Sequence, residues 1–167
     1  WQHESPVNWN VEDHCHELPS RIDVSIEGRN VLVRAWRFDV AGCGGHIIPV
    51  LLLDTDLDEN STADRALTQR LYGGDDRHRL CQEIVLGIGG IRILRSLRLE
   101  DLVQFHMNEG HAALLGLELL DERAKRFGRE TFNSEDVQAV RRQCVFTTHT
   151  PVPAGHERFG IDLVKQV

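Results

Sequence analysis

Segments with the two-residue period of a β-strand alternate along this chain with segments that have the period of an α-helix. Apolar residues recur at every second position from Ile22 to Ala35 and are interrupted by a turn at residues 27–30, which predicts a β-hairpin. A continuous apolar run at residues 46–53 predicts a strand that is covered on both faces. Strands that alternate with helices favour an α/β fold with a largely parallel sheet.

An amphipathic helix is predicted from Leu80 to Leu94, where apolar residues are spaced three or four apart. Three glycines lie inside it, at positions 87, 89 and 90. A glycine within a helix costs about 1 kcal/mol relative to alanine. We therefore expect another backbone to pass close to this helix.

The last third of the sequence reads strand, helix, helix, strand. We predict strands at residues 102–107 and 144–148, a helix at 111–127, and a second helix that Ser134 caps. We expect one partial domain over residues 1–167. Its parts are an irregular start (1–20), strands with a hairpin (21–53), a loop (54–78), and a helix with a β-α-α-β segment (79–167).

Composition excludes several classes of protein. The 167 residues carry a net charge of −7 and no Lys/Arg-rich block, so we expect no nucleic-acid partner. No apolar run approaches the roughly 20 residues needed to span a bilayer, so we expect no membrane partner. The four cysteines form no close pair, which favours reduced thiols and a cytoplasmic location. The chain begins with Trp1, so either its start has been removed or it is a segment of a longer protein, which we favour.

Polar side chains follow both predicted strands of the last third. Asn108, Glu109 and His111 follow the first strand, and His149 and Thr150 follow the second. If the strands are parallel, both loops emerge at the same edge of the sheet, where α/β proteins bind ligands. Carboxylate, amide, imidazole and hydroxyl groups together suit a hydroxyl-rich ligand such as a sugar. The structural alternative is that Asn108 caps a helix and that each histidine is an ordinary hydrogen-bonding residue.

Other motifs are weaker. Residues 54–58 begin like a calcium loop but lack its glycine at the sixth position and its glutamate at the twelfth. Gly87, Gly89 and Gly90 lack the strand–turn–helix setting of a dinucleotide loop. A histidine and cysteine group could supply zinc ligands, but its spacing matches no zinc motif, so we expect no metal site. That group consists of His14, Cys15, His16, Cys43 and His46.

Long blocks of the sequence resemble the α-glucan phosphorylases, the family of glycogen, starch and maltodextrin phosphorylases, in its short bacterial and archaeal branch. The blocks lie at 52–56, 64–68, 70–75, 79–90, 106–111 and 145–159. The resemblance implies part of the N-terminal Rossmann-like domain of a two-domain glycosyltransferase of the GT-B type. It also implies phosphorolysis of terminal α-1,4 bonds in glucans to glucose 1-phosphate. The partners would be an α-1,4-glucan or maltooligosaccharide, inorganic phosphate and, for the full-length parent, a second copy of itself.

The family uses pyridoxal 5'-phosphate, which is bound to a lysine as a Schiff base. Lys125 and Lys165 do not lie in the sequence context of that lysine, so we expect no cofactor-binding residue in this segment. We therefore expect the isolated chain to be inactive. The alternative is a non-catalytic truncated relative or gene remnant with at most weak glucan binding.

The resemblance also implies roles for individual residues. His149 matches the family histidine whose imidazole meets the 6-hydroxyl of the reacting sugar and whose carbonyl faces the anomeric centre, so it is the expected catalytic residue. The family's gating loop is shortened here to residues 73–76. The expected substrate-binding residues are Asn108, Glu109, His111, Thr150, Ala154 and Gly155.

Overall fold

A computed structural model describes residues 9–71, 74–99, 101–151 and 158–167. The described part combines helices with two small sheets, so the α/β class is confirmed. The strands are β1 (His16–Ile26), β2 (Arg29–Ala41), β3 (Ile47–Asp54), β4 (Phe105–Asn108) and β5 (Cys144–Thr147). The helices are α1 (Thr62–Arg65), α2 (Asp76–Ile84), α3 (Gly90–Ser96), α4 (Leu115–Arg126), α5 (Ser134–Gln143) and α6 (Ile161–Gln166).

The larger sheet is antiparallel and has the order β1-β2-β3. The predicted hairpin joins β1 to β2, and Glu27 and Gly28 at its turn both have positive φ, of 49° and 75°. A two-residue turn with positive φ at both positions has a backbone twist that matches the twist of the flanking strands. The expectation of a largely parallel sheet is therefore wrong for the described residues, where only β4 and β5 pair in parallel.

Two predicted boundaries differ from the structure. Residues 1–20 were expected to be irregular, but β1 begins at His16, which pairs with Arg37 of β2. The sequence shows no regular alternation of apolar and polar residues there, because the strand register shifts between Glu17 and Arg21. The predicted loop at 54–78 contains α1, and α2 already begins at Asp76.

The apolar run at residues 46–53 predicted a strand covered on both faces, but β3 is not covered in this way. Ile47 and Ile48 are 59% and 63% exposed, because β3 pairs with β2 along one edge and nothing in the described ranges covers its first half. Pro49 fits this edge position, since proline cannot donate a ladder hydrogen bond. The sequence pattern correctly indicated a strand but not how much of it is buried.

The predicted helix at 80–94 is a nearly continuous rod formed by α2, a π-helical turn (Val85–Gly89) and α3. A Cβ atom on Gly87 would lie 2.7 Å from the backbone nitrogen of Leu115. The close backbone approach predicted from the glycines is therefore confirmed at Gly87. This contact sets the start of α4 directly against the middle of the rod.

The β4–α4–α5–β5 segment forms a second core beside α3. Its buried residues are Ile91, Phe105, Leu115, Leu119 and Val140. Two arginines of α3 tie the rod to α4, where Arg92 binds Glu118 at 2.8 Å and Arg95 binds Glu122 at 3.0 Å.

Helix α5 is capped one residue earlier than predicted. The cap is Asn133 rather than Ser134, and it forms a capping box with Asp136. In a capping box the side chain of the cap and that of the third helical residue each accept a backbone N–H.

No helix in the described ranges is long and apolar enough to cross a membrane.

Candidate functional site

The two polar loops meet at one edge of the parallel strand pair. Phe105 pairs with Cys144 and Asn108 pairs with Thr147, so β4 and β5 end side by side. The predicted convergence of the two strand ends is confirmed. Four of the expected site residues, at positions 108, 109, 149 and 150, are joined there by hydrogen bonds.

Glu109 is the central residue of this cluster. Its Oε1 atom accepts the backbone N–H of Thr150 at 2.7 Å and that of His149 at 3.4 Å. Its own N–H donates to the carbonyl of Thr147 at 2.9 Å. Although Glu109 carries a carboxylate, the residue is only 7% exposed. A single side chain therefore fastens the loop after β4 to the loop after β5.

Glu109 also has an unusual backbone conformation, with φ of 62° and ψ of −162°. This region is populated almost only by glycine, and other residues held in such regions cost about 1–3 kcal/mol. Such strain persists only where surrounding contacts compensate for it, and it concentrates at functional sites. Neither the motif nor its spacing predicted this conformation.

Hydrogen bonds keep the Glu109 carboxylate ionised. The Thr150 hydroxyl, then the Thr150 and His149 amides, hold the pKa of Glu109 below its usual range, although burial acts in the opposite direction. The site therefore presents a fixed negative charge near neutral pH. An ionised carboxylate is an acceptor only, which suits the hydroxyl groups of a sugar.

His149 and Asn108 form the accessible part of the cluster. The Nε2 atom of His149 lies 2.9 Å from Oδ1 of Asn108. Because an amide oxygen only accepts, this bond places a proton on Nε2 and fixes the orientation of the ring. The His149 side chain is 57% exposed, so a ligand can reach it. The N-cap position of the following 3-10 turn is held by Glu109 and not by Asn108, which does not support the helix-cap alternative.

One further expected site residue, His111, is described and lies outside this hydrogen-bonded cluster. His111 is in a 3-10 turn (Gly110–Ala112), and its Nδ1 atom lies 3.9 Å from Oε1 of Glu83 on α2. Ala154 and Gly155 lie outside the described residues, as does Gly73 of the shortened loop. Asp75 of that loop caps α2 by accepting the N–H of His78.

Sequence reasoning missed two polar residues, His106 at this edge and Glu83 beside His111. His106 of β4 bonds through Nε2 to the Thr147 hydroxyl of β5. His106 and Asn108 are two residues apart on one strand and therefore share a face, a signal that the sequence contained. Glu83 was missed because it lies in a helix chosen for its apolar residues.

Neither lysine fits a Schiff base with pyridoxal phosphate. The ammonium of Lys125 lies 2.6 Å from the Asp121 carboxylate on α4, which raises its pKa. A Schiff-base lysine reacts in its deprotonated form, which this ion pair opposes. Lys165 is exposed on α6. We therefore assign no chemical step in this segment to that cofactor.

The possible metal ligands do not form a site. The acidic residues 54–58 are engaged by arginines, with Arg34 on Asp54 at 2.8 Å and Arg65 on Asp58 at 2.8 Å. Within the described ranges, no group of three or more His, Cys, Asp or Glu side chains is placed to hold a metal ion. Those ranges contain His14, Cys15, His16, Cys43 and His46.

Comparison with known proteins gives the family. No protein-family model matches the chain. The chain is 41% identical to glycogen phosphorylase of Mycobacterium tuberculosis over 99% of its length and 20% of that protein. It is 41% identical to maltodextrin phosphorylase of Thermococcus litoralis over 89% of its length and 17% of that protein. Against glycogen phosphorylase of Aquifex aeolicus the identity is 32%, over 69% of the chain and 16% of that protein.

The first two of these relatives match 99% and 89% of the chain at 41% identity, but the chain spans only about a fifth of their length. Over the part that it spans, the chain belongs to the glycogen and maltodextrin phosphorylase family.

Proposed function

We propose that the cluster at the ends of β4 and β5 is part of the glucosyl-binding pocket of an α-glucan phosphorylase. The parent protein would be a cytoplasmic glycosyltransferase that cleaves terminal α-1,4 bonds of a glucan with inorganic phosphate. The observation that carries this proposal is the hydrogen-bonded junction of Glu109 with the loop of His149 and Thr150. The family relationship supports it.

The donors and acceptors at the junction suit a sugar. Glu109 offers a fixed negative acceptor, and His149 offers an accessible ring whose orientation is set by Asn108. Sugar hydroxyls donate and accept, so they can satisfy groups of both kinds at once. By the resemblance, His149 would meet the 6-hydroxyl and turn its carbonyl toward the anomeric carbon. A carbonyl dipole fixed before the reaction would stabilise positive charge that develops there.

The structure of the loop after β5 supports that role for the His149 carbonyl. The backbone N–H groups of His149 and Thr150 are both held by Glu109, so the peptide between these residues has a fixed direction. A preorganised group needs no rearrangement as charge develops. In this proposal Glu109 is an orienting residue as well as a sugar acceptor.

The rest of the architecture is proposed from the family. We infer that the segment belongs to the N-terminal Rossmann-like domain of a GT-B fold and that the cofactor lysine lies outside it. Pyridoxal 5'-phosphate would supply proton transfer through its phosphate in the complete enzyme. Because neither lysine of this chain suits a Schiff base, we expect the isolated chain to release no glucose 1-phosphate from glucan and phosphate.

Titration of the chain with maltoheptaose, followed by NMR, tests the proposal. We expect concentration-dependent shifts at Asn108, Glu109 and His149, and His149→Ala should weaken binding by about tenfold, the loss of roughly one good hydrogen bond. His46→Ala is the matched control, since His46 is an exposed histidine in the β2–β3 turn. Absence of shifts at millimolar sugar, or equal weakening by both variants, would contradict the proposal.

A longer protein that carries this segment allows a separate test of catalysis. There His149→Ala should lower phosphorolysis of maltoheptaose, whereas His46→Ala should not. Binding without phosphorolysis in that protein would favour the alternative of a non-catalytic relative.

A further inference from the structure

Glu83 is a buried residue whose carboxyl oxygen Oε1 has no hydrogen-bond partner among the described residues. It lies on α2 and is 7% exposed. Burial of an unpartnered carboxylate is strongly unfavourable. A carboxyl group retained in such a place needs either a proton or a neighbouring cation.

His111 is the imidazole next to this carboxyl group. Its Nδ1 atom is 3.9 Å from Glu83 Oε1, and its side chain is 34% exposed. Both residues line a cavity of about 560 Å³ whose other walls are mainly leucines of β3 and of residues 67–71. The apolar walls limit solvation, which strengthens any interaction between the two groups.

Among the described residues, the other charged side chains that line this cavity are arginines. Arg70 and Arg79 line the same cavity, and the Arg79 guanidinium donates to the carbonyl of Leu71 at 2.8 Å. Burial raises the pKa of Glu83 to about 7, although Arg79 opposes the shift.

We propose that Glu83 is a positioning residue that shares one proton with His111 and thereby holds the turn that follows Glu109. When Glu83 is ionised, the Nδ1–H of His111 donates to its carboxylate; when Glu83 is protonated, its O–H donates to Nδ1. The same proton is present in both forms, and none is gained or lost. Sharing the proton requires the 3.9 Å separation between Nδ1 and Oε1 to shorten to a hydrogen-bond distance of about 2.7–3.2 Å.

This pair links the rigid helical rod to the site. Glu83 is two residues before the π-helical turn that packs on Leu115, and His111 is two residues after Glu109. The rod would therefore fix both ends of the segment 109–115, through the proton pair at one end and the Gly87–Leu115 contact at the other. The consequence for glucan binding rests on the proposed function, whereas the shared proton does not.

NMR titration of the His111 ring in the sugar-free chain tests the inference. Two groups that share a proton titrate as a pair, in two steps whose midpoints belong to the pair. The chemical shifts of the His111 ring should therefore change in two steps as the pH is varied. At least one of these steps should also appear, with the same midpoint, in the signal of the Glu83 carboxyl carbon. In Glu83→Gln the higher-pH step should disappear, because a neutral amide cannot stabilise an imidazolium. Glu130→Gln, an exposed glutamate between α4 and α5, should leave the curve unchanged.

A single-step His111 curve with the same midpoint in the wild type and in Glu83→Gln would overturn the inference. If Glu83→Gln does not fold, the inference is tested instead by a pH titration of the Glu83 carboxyl signal in His111→Gln. Removal of the imidazole should raise the Glu83 midpoint, and an unchanged midpoint would overturn the inference. These titrations need no sugar, so a failure to bind maltoheptaose would count against the proposed function alone.

Discussion

The Glu109 carboxylate accepts the backbone N–H of Thr150 at 2.7 Å and so joins two loops that are about 40 residues apart in sequence. Glu109 achieves this reach from a backbone conformation with φ of 62°. The backbone strain and the hydrogen bonds therefore occur at the same residue.

Substitution of Glu109 separates strain from hydrogen bonding. Glu109→Ala and Glu109→Gly both remove the carboxylate, but only glycine adopts the positive φ without a steric penalty. The glycine variant should therefore be more stable to urea than the alanine variant by about 1–3 kcal/mol, the cost of holding a residue with a Cβ atom in this backbone region. In both variants the Thr150 amide should exchange with solvent faster than in the wild type. Equal stabilities would contradict the idea that the backbone of Glu109 is strained.

The convergence of the two loops was predictable because it follows from the order of the elements. Once β4 and β5 are parallel neighbours, connectivity alone brings Asn108 beside Thr147. The conformation of Glu109 was not predictable, since it depends on hydrogen bonds to the second loop. The exposure of β3 was missed for a related reason, because an apolar run indicates burial but not what covers it. Glu83 did leave a signal, as it lies on the helix face of Leu80 and Gly87, three residues after the first and four before the second.

Two glycines in the same helical rod should respond to alanine in opposite directions. Gly87→Ala places a Cβ atom 2.7 Å from the Leu115 backbone nitrogen, whereas a Cβ atom on Gly90 meets nothing within 4 Å. We expect Gly87→Ala to lower the free energy of unfolding by about 1–3 kcal/mol through overpacking. Gly90→Ala should raise it by about 0.5–1 kcal/mol through helix propensity. Urea denaturation of both variants measures the difference, and stabilisation by Gly87→Ala would rule out the tight helix contact.

The stability of the chain should carry a pH dependence that comes from Glu83. Its folded pKa is raised to about 7, above the value of about 4.3 for an unfolded glutamate, so the native state binds more protons between these values. This group's contribution is therefore fully present below about pH 4 and is lost as the pH rises through 7, opposite to the usual behaviour of a carboxylate. Carboxyl groups whose folded pKa is lowered give stability the opposite dependence on pH. Glu27, whose pKa is lowered to about 2 by Arg77 and then Arg29, adds stability above the unfolded pKa that is lost as the pH falls toward 2.

Comparison with Glu83→Gln isolates the contribution of Glu83 from all the others. The unfolding free energy of the wild type minus that of the variant should decrease as the pH rises from 4.5 to 7.5, because the glutamine side chain has no proton to lose. The same comparison with the exposed Glu130→Gln should give a flat difference over this range. A flat difference for Glu83→Gln as well would mean that the Glu83 carboxyl is solvated in the folded chain. It would then have an ordinary pKa, and its unpartnered oxygen would be reached by water.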